Sequence, residues 1–323
     1  MVGPFRVLQV GLGPLGTQIA ADLQRRGLGR IVAAVDPALA NKPFDDITIQ
    51  PTLAAVADTP VDVAIVATVS GLRACAPTLL ELAARGIAIV STCEELSWPW
   101  DRHPDLARSL AAAAEQHGAR ILGTGVNPGF VMDALAIAVT TACAEVRRIE
   151  IRRIQDATTR RLPFQKKIGA TLTRAEFERL AAAGTIRHVG LRESAQMVAA
   201  TLGLPIDRID ETLVPVIADT AMTCNLGPIA AGAARGVHQE ARAFTKDGRE
   251  LISLVFRAAI AEPDARDQIV VEGNPPVDLV IRNGLHGDVA TSAVVLNSMR
   301  SLVAAKPGLH TMTTLPLAGC ARA

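Results

Sequence analysis

Tyrosine is absent from the 323 residues, and all aromatic side chains together make up only 3% of them. So few flat rings exclude a base-stacking platform for single-stranded nucleic acid. Long runs of like charge are missing too. Lys and Arg number 33 against 32 Asp and Glu, a formal net charge of +1, which leaves no footprint for nucleic acid or an anionic membrane. No apolar stretch reaches the roughly 18 residues that a membrane span needs. The five cysteines (Cys75, Cys93, Cys143, Cys224, Cys320) are scattered, odd in number and without a CxxC spacing, so neither a disulfide frame nor a zinc cluster is expected. The six histidines show no HExxH or similar spacing, and no metal site is expected. A strand begins almost at the N-terminus, with no signal-peptide pattern. These absences leave a cytoplasmic, metal-free globular enzyme as the expectation.

Apolar residues make up 49% of the chain, enough for a sizeable core, and a length divided by roughly 150 residues per domain suggests two domains. The first half alternates short apolar strands with helical patterns: strands at 5–10, 30–35, 61–67, 87–91 and 119–123, helices at 15–25, 72–84 and 104–117. Continuously apolar strands separated by helices of about 12 residues predict a doubly wound parallel sheet covered on both faces. The second half differs. Residues 145–155 (EVRRIEIRRIQ) alternate charged and apolar side chains, as a half-exposed strand does. Residues 236–245 and 250–261 flank Lys246-Asp247-Gly248 as a hairpin, and 268–271 and 277–282 add strands. The fold class is therefore α/β: a doubly wound parallel sheet, then an α/β domain with an open mixed, largely antiparallel sheet. The expected divisions are 1–143, 144–284 and a C-terminal helix and tail, 285–323, returning to the first domain.

The sharpest local signal is Gly11-Leu12-Gly13-Pro14-Leu15-Gly16, a GxGxxG directly after a strand and leading into a helix. Gly11 permits the tight turn, Gly13 lets the backbone approach a pyrophosphate, and Gly16 allows close helix–strand packing. Asp36 ends the second strand twenty positions after Gly16. Its carboxylate suits the ribose hydroxyls and repels a 2′-phosphate, which favours NAD while NADP stays open. The plain alternative is a packing turn, with Asp36 as a helix cap.

In a doubly wound sheet the chemistry lies at the carboxyl ends of the strands. Thr68 and Val69 follow the third strand and are candidates to line the nicotinamide ribose. Asn127, in GTGVNPGF (residues 123–130), is a candidate for the nicotinamide amide or a substrate polar group, with Pro128 and Phe130 beside it as pocket candidates. Between them lies Glu94-Glu95, followed by Trp98 and Trp100, the only tryptophans in the chain. Adjacent carboxylates in an apolar cleft repel, and one of the two is expected to have a raised pKa useful for proton transfer. A carboxylate beside aromatic walls suits an amine or iminium cation. The bland reading is an acidic helix start with ordinary tryptophan packing. Cys93 is expected to be inert, and the basic stretch 164–169 to be a solvated loop or to reach the cleft.

Four segments carry a resemblance: STCEELSWPW (91–100), GTGVNPGFVMD (123–133), FQKKIGATLT (164–173) and the stretch 284–312. Together they resemble the 2,4-diaminopentanoate dehydrogenases and the related native amine dehydrogenases. The paired-histidine motif of true dihydrodipicolinate reductases is missing; Arg152, Arg153, Arg160 and Arg161 supply positive charge there without that pattern. The resemblance implies an N-terminal Rossmann domain, a homodimer built through the C-terminal domain, and reversible oxidative deamination of a small amine to a ketone and ammonia. It implies that a glutamate serves at the floor of the site, a role carried here onto Glu94 and Glu95 together. A diamine would need a second anion, for which Asp133 and, more weakly, Asp288 are candidates, although either also reads as a helix-start residue. Another dehydrogenase on the same scaffold, acting on a hydroxyl or amino-acid carbon, and a non-catalytic NAD-binding sensor are the competing readings.

Overall fold

The computed structural model describes residues 4–320. The chain opens on β1 (Phe5–Val10), whose last four residues are buried. α1 (Pro14–Arg25) follows without a linker. Proline at the helix start costs no hydrogen bond, and the buried Gly16, Ile19, Ala20 and Leu23 recur on one helical face. β2 (Gly29–Val35) is parallel to β1. A short ribbon, β3 (Pro43–Phe44) and β4 (Ile47–Thr48), leads to β5 (Val63–Val66), buried throughout. α2 (Leu72–Ala84), β6 (Ala88–Ser91), α3 (Pro104–His117) and β7 (Arg120–Gly123) complete the alternation.

A second compact unit runs from Val131 to Leu285, so the observed division precedes the expected one at 143. It holds α4 (Ala134–Thr140), β8 (Glu145–Asp156), α5 (Leu162–Lys167), α6 (Arg174–Ala182) and α7 (Leu191–Leu202). After β9 (Arg208–Ile217) and a ribbon of β10 (Met222–Cys224) and β11 (Gly227–Ile229) come β12 (Ala234–Phe244), β13 (Glu250–Ala259), β14 (Arg266–Asn274) and β15 (Val277–Arg282). The six-stranded sheet has the order β15-β14-β8-β13-β12-β9. Only β8 and β13 pair in parallel; the other pairings are antiparallel. α7 covers one face at β9, β12 and β13. On β8, Arg153 is 2% exposed and donates at 2.8 Å to both oxygens of Asp267, itself 2% exposed. The basic stretch 164–169 is not a solvated loop: it lies on and just after α5, with Gln165 fully buried and donating to the Ala157 carbonyl. The amide of Gln165 anchors the helix to the end of β8, which a reading of its lysines does not reveal.

The chain then rejoins the first unit through α8 (Gly287–Ala304) and β16 (Gly308–His310). Ser292 donates to Asp22 at 2.6 Å and Arg26 to Asn297 at 2.6 Å, fastening α8 to α1. The first sheet has the order β16-β7-β6-β5-β1-β2, parallel throughout. Leu8, Ala64, Ile89 and Ile121 on its strands and Leu72, Leu79, Leu82 and Leu110 on its helices form the apolar core. Among the described residues no helix is long and apolar enough to cross a membrane.

Candidate active site

The glycine loop has the geometry its spacing predicts. Gly11 sits at φ +86° against the Ala67 carbonyl, 2.5 Å from where a Cβ would lie. At Gly16 a Cβ would stand 2.1 Å from the Gly11 carbonyl oxygen, so only glycine lets α1 approach this closely. A Cβ at Gly13 would meet nothing within 4 Å, which leaves that side of the loop open to a ligand. Pro14 and Leu15 form the first turn of α1, whose N–H groups face an anion at this end.

Asp36 closes β2 and is held from two sides. Its Oδ2 accepts from the Leu12 N–H at 2.8 Å and its Oδ1 from the Ala38 N–H at 2.9 Å. The helix-cap role and the loop-facing position therefore coexist, and both fix the carboxylate in orientation. Beside it opens a cavity of about 590 Å³, lined by Gly11, Gly13, Asp36, Thr68 and Val69, with Pro37, Pro51, Thr52 and Leu53 on one flank and Ala74, Thr78 and Glu81 of α2 on the other. That volume lies in the range of small-molecule sites. The flank residues were not singled out from the sequence; they come together only because β2, β5 and α2 converge. Among the described residues no group of His, Cys, Asp and Glu is arranged to hold a metal.

Two strands along the sheet from β1, β6 ends at Ser91 and leads into a short 3₁₀ turn, Glu94–Ser97. Its two carboxylates differ. Glu94 is half-buried, whereas Glu95 is buried and built into the fold. Glu95 Oε2 accepts from the Leu72 N–H at the start of α2 and lies 2.8 Å from His103 Nε2, while the Glu95 N–H donates to the Ser70 carbonyl. The expected raised pKa is not found at Glu95. Burial pushes it up, but the Leu72 N–H and the His103 imidazole, with Arg102 beyond, outweigh burial and hold the carboxyl below its ordinary value. Like-charge repulsion loses because Glu95 has its own helix N-terminus to bind. His103 was not foreseen: it stands eight residues from Glu95 in a stretch without periodicity.

Trp98 and Trp100 contact edge-on, with ring centroids 4.9 Å apart, and Trp100 is 38% exposed. Cys93 is buried and its Sγ donates to the Ser70 carbonyl; the neighbouring Cys75 thiol and burial push its pKa up, as an inert thiol requires. Asn127 and Pro128, joined by a cis peptide, are buried in the segment after β7, and Phe130 is half-buried. Asn127 is not in the lining of the large cavity. Asp133 is built into the start of a helix. It is fully buried, its Oδ1 accepts from the Ala134 N–H to start α4, and its Oδ2 accepts from Ser194 on α7 at 2.8 Å. Both oxygens bond within the second unit, and Asp133 starts α4, the helix-start role that its position also suggested. Asp288 lies in the first turn of α8.

A doubly wound domain with an open glycine loop, joined to an α/β unit with a mixed sheet, defines a two-domain dinucleotide-binding protein. Residues 130–323 match the 2,4-diaminopentanoate dehydrogenase C-terminal domain family, and the chain belongs to that family. It is 27% identical to a 2,4-diaminopentanoate dehydrogenase of Acetoanaerobium sticklandii over 97% of this chain and 93% of that one. In three dimensions it is similar to the amine dehydrogenase of Mycobacterium smegmatis, with a TM-score of 0.86 at 21% identity over 98% of this chain and 97% of that one. It also shares its fold with a dipicolinate-bound dihydrodipicolinate reductase of Paenisporosarcina sp. TG-14, with a TM-score of 0.54 at 14% identity over 96% and 99% of the two chains.

Proposed function

We propose that the chain is an NAD-dependent amine dehydrogenase that interconverts a small amine or diamine with the corresponding ketone and ammonia. The observation carrying this reading is the carboxylate turn Glu94–Ser97 at the carboxyl end of β6, in the same sheet as the glycine loop, within a chain of the 2,4-diaminopentanoate dehydrogenase family.

When bound, a nicotinamide cofactor would supply the redox chemistry. The chain supplies position and charge. Backbone N–H groups of the loop at Gly13 and the start of α1 would hold the pyrophosphate. Asp36 would accept from the adenosine ribose, and its charge, with Glu81 and no Lys or Arg in the cavity lining, favours NAD over a 2′-phosphorylated cofactor. Glu94 takes the proton from the substrate ammonium and passes it to solvent, so that it stands again as a carboxylate beside the iminium cation that oxidation of the amine carbon produces. A fixed carboxylate in a partly dry site stabilises that cation through the transition state. Water then adds to the iminium carbon and ammonia leaves. Glu95 is the fixed partner in this assignment and Trp98 an apolar wall.

The supporting experiment is a substrate panel of short diamines, alkyl amines and ketones with ammonium, each with NAD(H) and NADP(H). The expected result is NADH oxidation by a ketone only when ammonium is present. Equal oxidation without ammonium would assign the chain to hydroxyl chemistry, and tight NAD binding without turnover to sensing.

The same proposal includes a homodimer through the second unit. The sheet face opposite α7 carries Arg148 bonded to Glu250 and Glu272, Arg242 bonded to Glu240, and the exposed Val214 and Val280. Such a mixed face of alternating charge and valine suits a second copy related by a two-fold axis. Sedimentation at twice the chain mass is the expected result.

A further inference from the structure

The inference concerns His103 and rests on the reading that the Glu94–Glu95 turn carries the acid–base chemistry. His103 Nε2 and Glu95 Oε2 are 2.8 Å apart, and each side chain is 10% exposed. Glu95 is already clamped to the start of α2 twice: its Oε2 accepts from the Leu72 N–H at 2.8 Å, and its own N–H donates to the Ser70 carbonyl at 3.1 Å. His103 adds the third strut. Its backbone N–H donates to the Pro99 carbonyl at 2.8 Å, so the imidazole closes the segment 95–103, which carries Trp98. The turn itself is held at its other end by Ser97 Oγ, which donates to the Glu94 carbonyl at 2.8 Å.

The second ring nitrogen decides the proton count. His103 Nδ1 is buried with no hydrogen-bond partner. An imidazolium would put a second N–H there with nothing to accept it, whereas the neutral ring protonated on Nε2 donates to Glu95 and leaves only a bare acceptor. At Nε2 the imidazole thus works as a donor to the Glu95 carboxylate.

We propose that His103 is a positioning residue for the amine chemistry: donating from Nε2 to Glu95, it fixes the turn that presents Glu94 and the loop that carries Trp98. It touches neither substrate nor cofactor in this assignment and acts entirely through Glu95. Besides His103, the charged groups that act on Glu95 include Arg102, and Glu95 in turn acts on Cys93; Asp101 and Asp105 flank His103 in sequence.

The test compares His103→Leu, which removes the donor, with His103→Gln, whose amide N–H reaches the place of Nε2 but does not titrate. The reaction is reductive amination by whichever ketone of the panel the wild type turns over fastest, with ammonium and NADH. For His103→Leu, kcat is expected to fall about 10- to 100-fold, the scale of a misplaced catalytic group, with the KM for NADH within about twofold of wild type. The acidic limb of its kcat–pH profile should move to higher pH, because Glu95, whose carboxylate holds the turn that presents Glu94, protonates at higher pH once the His103 donor is gone. His103→Gln should restore kcat to within about threefold, one hydrogen bond having been kept. Wild-type kcat and pH profile in His103→Leu, or equal impairment in both variants, would overturn the proposal. If the wild type turns over nothing in the panel, the functional reading fails. The strut is then read from acid unfolding followed by circular dichroism: a midpoint at higher pH in His103→Leu supports it, and an unchanged midpoint overturns it.

Discussion

Gly16 and Gly11 are in backbone contact across the first turn of the sheet: a Cβ on Gly16 would lie 2.1 Å from the Gly11 carbonyl oxygen and 3.1 Å from Gln9 Nε2. Gly13, between them, has open space where its Cβ would be. Gly16→Ala should therefore lower thermal stability and NAD affinity together, since α1 must move away from β1. Gly13→Ala should leave the melting temperature near wild type while lowering NAD affinity by about tenfold or more, because its new methyl group takes the pyrophosphate's place. Calorimetric titration with NAD, alongside thermal unfolding without it, separates the two.

Glu94→Gln and Glu95→Gln should behave differently although the residues are neighbours. Glu94→Gln is expected to reduce kcat by at least about 100-fold, the scale of a lost general acid–base group, with NAD binding and stability unchanged. Glu95→Gln is expected to lose stability too, by about 1–3 kcal/mol, because a charge-assisted cap on Leu72 and His103 is weakened. Paired kinetics and urea unfolding on both variants provide the check.

The pH dependence of stability has a definite sign at Glu95. Its folded pKa lies below the ordinary value of 4.5. A depressed carboxylate contributes stability that is fully present above the unfolded pKa and is lost as the pH falls through the folded one. The stability gap between wild type and Glu95→Gln should thus be constant from neutral pH down to about 5 and shrink below that. Urea unfolding at a series of pH values reads it directly.

Asp36→Asn keeps an acceptor for the Leu12 N–H but removes the charge. NAD affinity is expected to fall by roughly tenfold, and the ratio of kcat/KM for NAD over NADP to fall further, since the 2′-phosphate is no longer repelled. Steady-state kinetics with both cofactors measure this ratio.

In the second unit, Asp267 accepts from Arg153 and from the Leu285 N–H inside the sheet's covered face. Asp267→Asn leaves a guanidinium buried without its counter-charge, and a loss of about 3–5 kcal/mol is expected. The double variant Arg153→Met, Asp267→Leu should recover most of it, because no charge is then buried. Chemical unfolding of the two variants provides the comparison.

Much of this was legible locally. The apolar strands and helical periods of the first half placed 5–10, 72–84 and 104–117 where β1, α2 and α3 run, and the turn glycine Gly11 does adopt positive φ. Helices α5 to α7 and strand β9 were not read, although α6 opens on a Thr173–Glu176 capping box and Leu191, Ala195, Val198 and Leu202 of α7 recur at helical spacing. In the site, the glycine loop and Asp36 were recognisable because strand, turn and helix follow one another within 26 residues. The division of labour between Glu94 and Glu95 was not, because it depends on which carboxylate meets Leu72, 23 residues back.

What the amino-acid order determined by itself is therefore whatever arises between near neighbours: strand and helix periods, the glycine turn, the helix starts. Tertiary structure alone decided that Asp133 meets Ser194, 61 residues onward, that Glu95 is a clamp, and that β8 pairs in parallel with β13. The reason is that a polar side chain's role follows from the partner it meets when water is removed. For these residues that partner comes from a distant part of the chain.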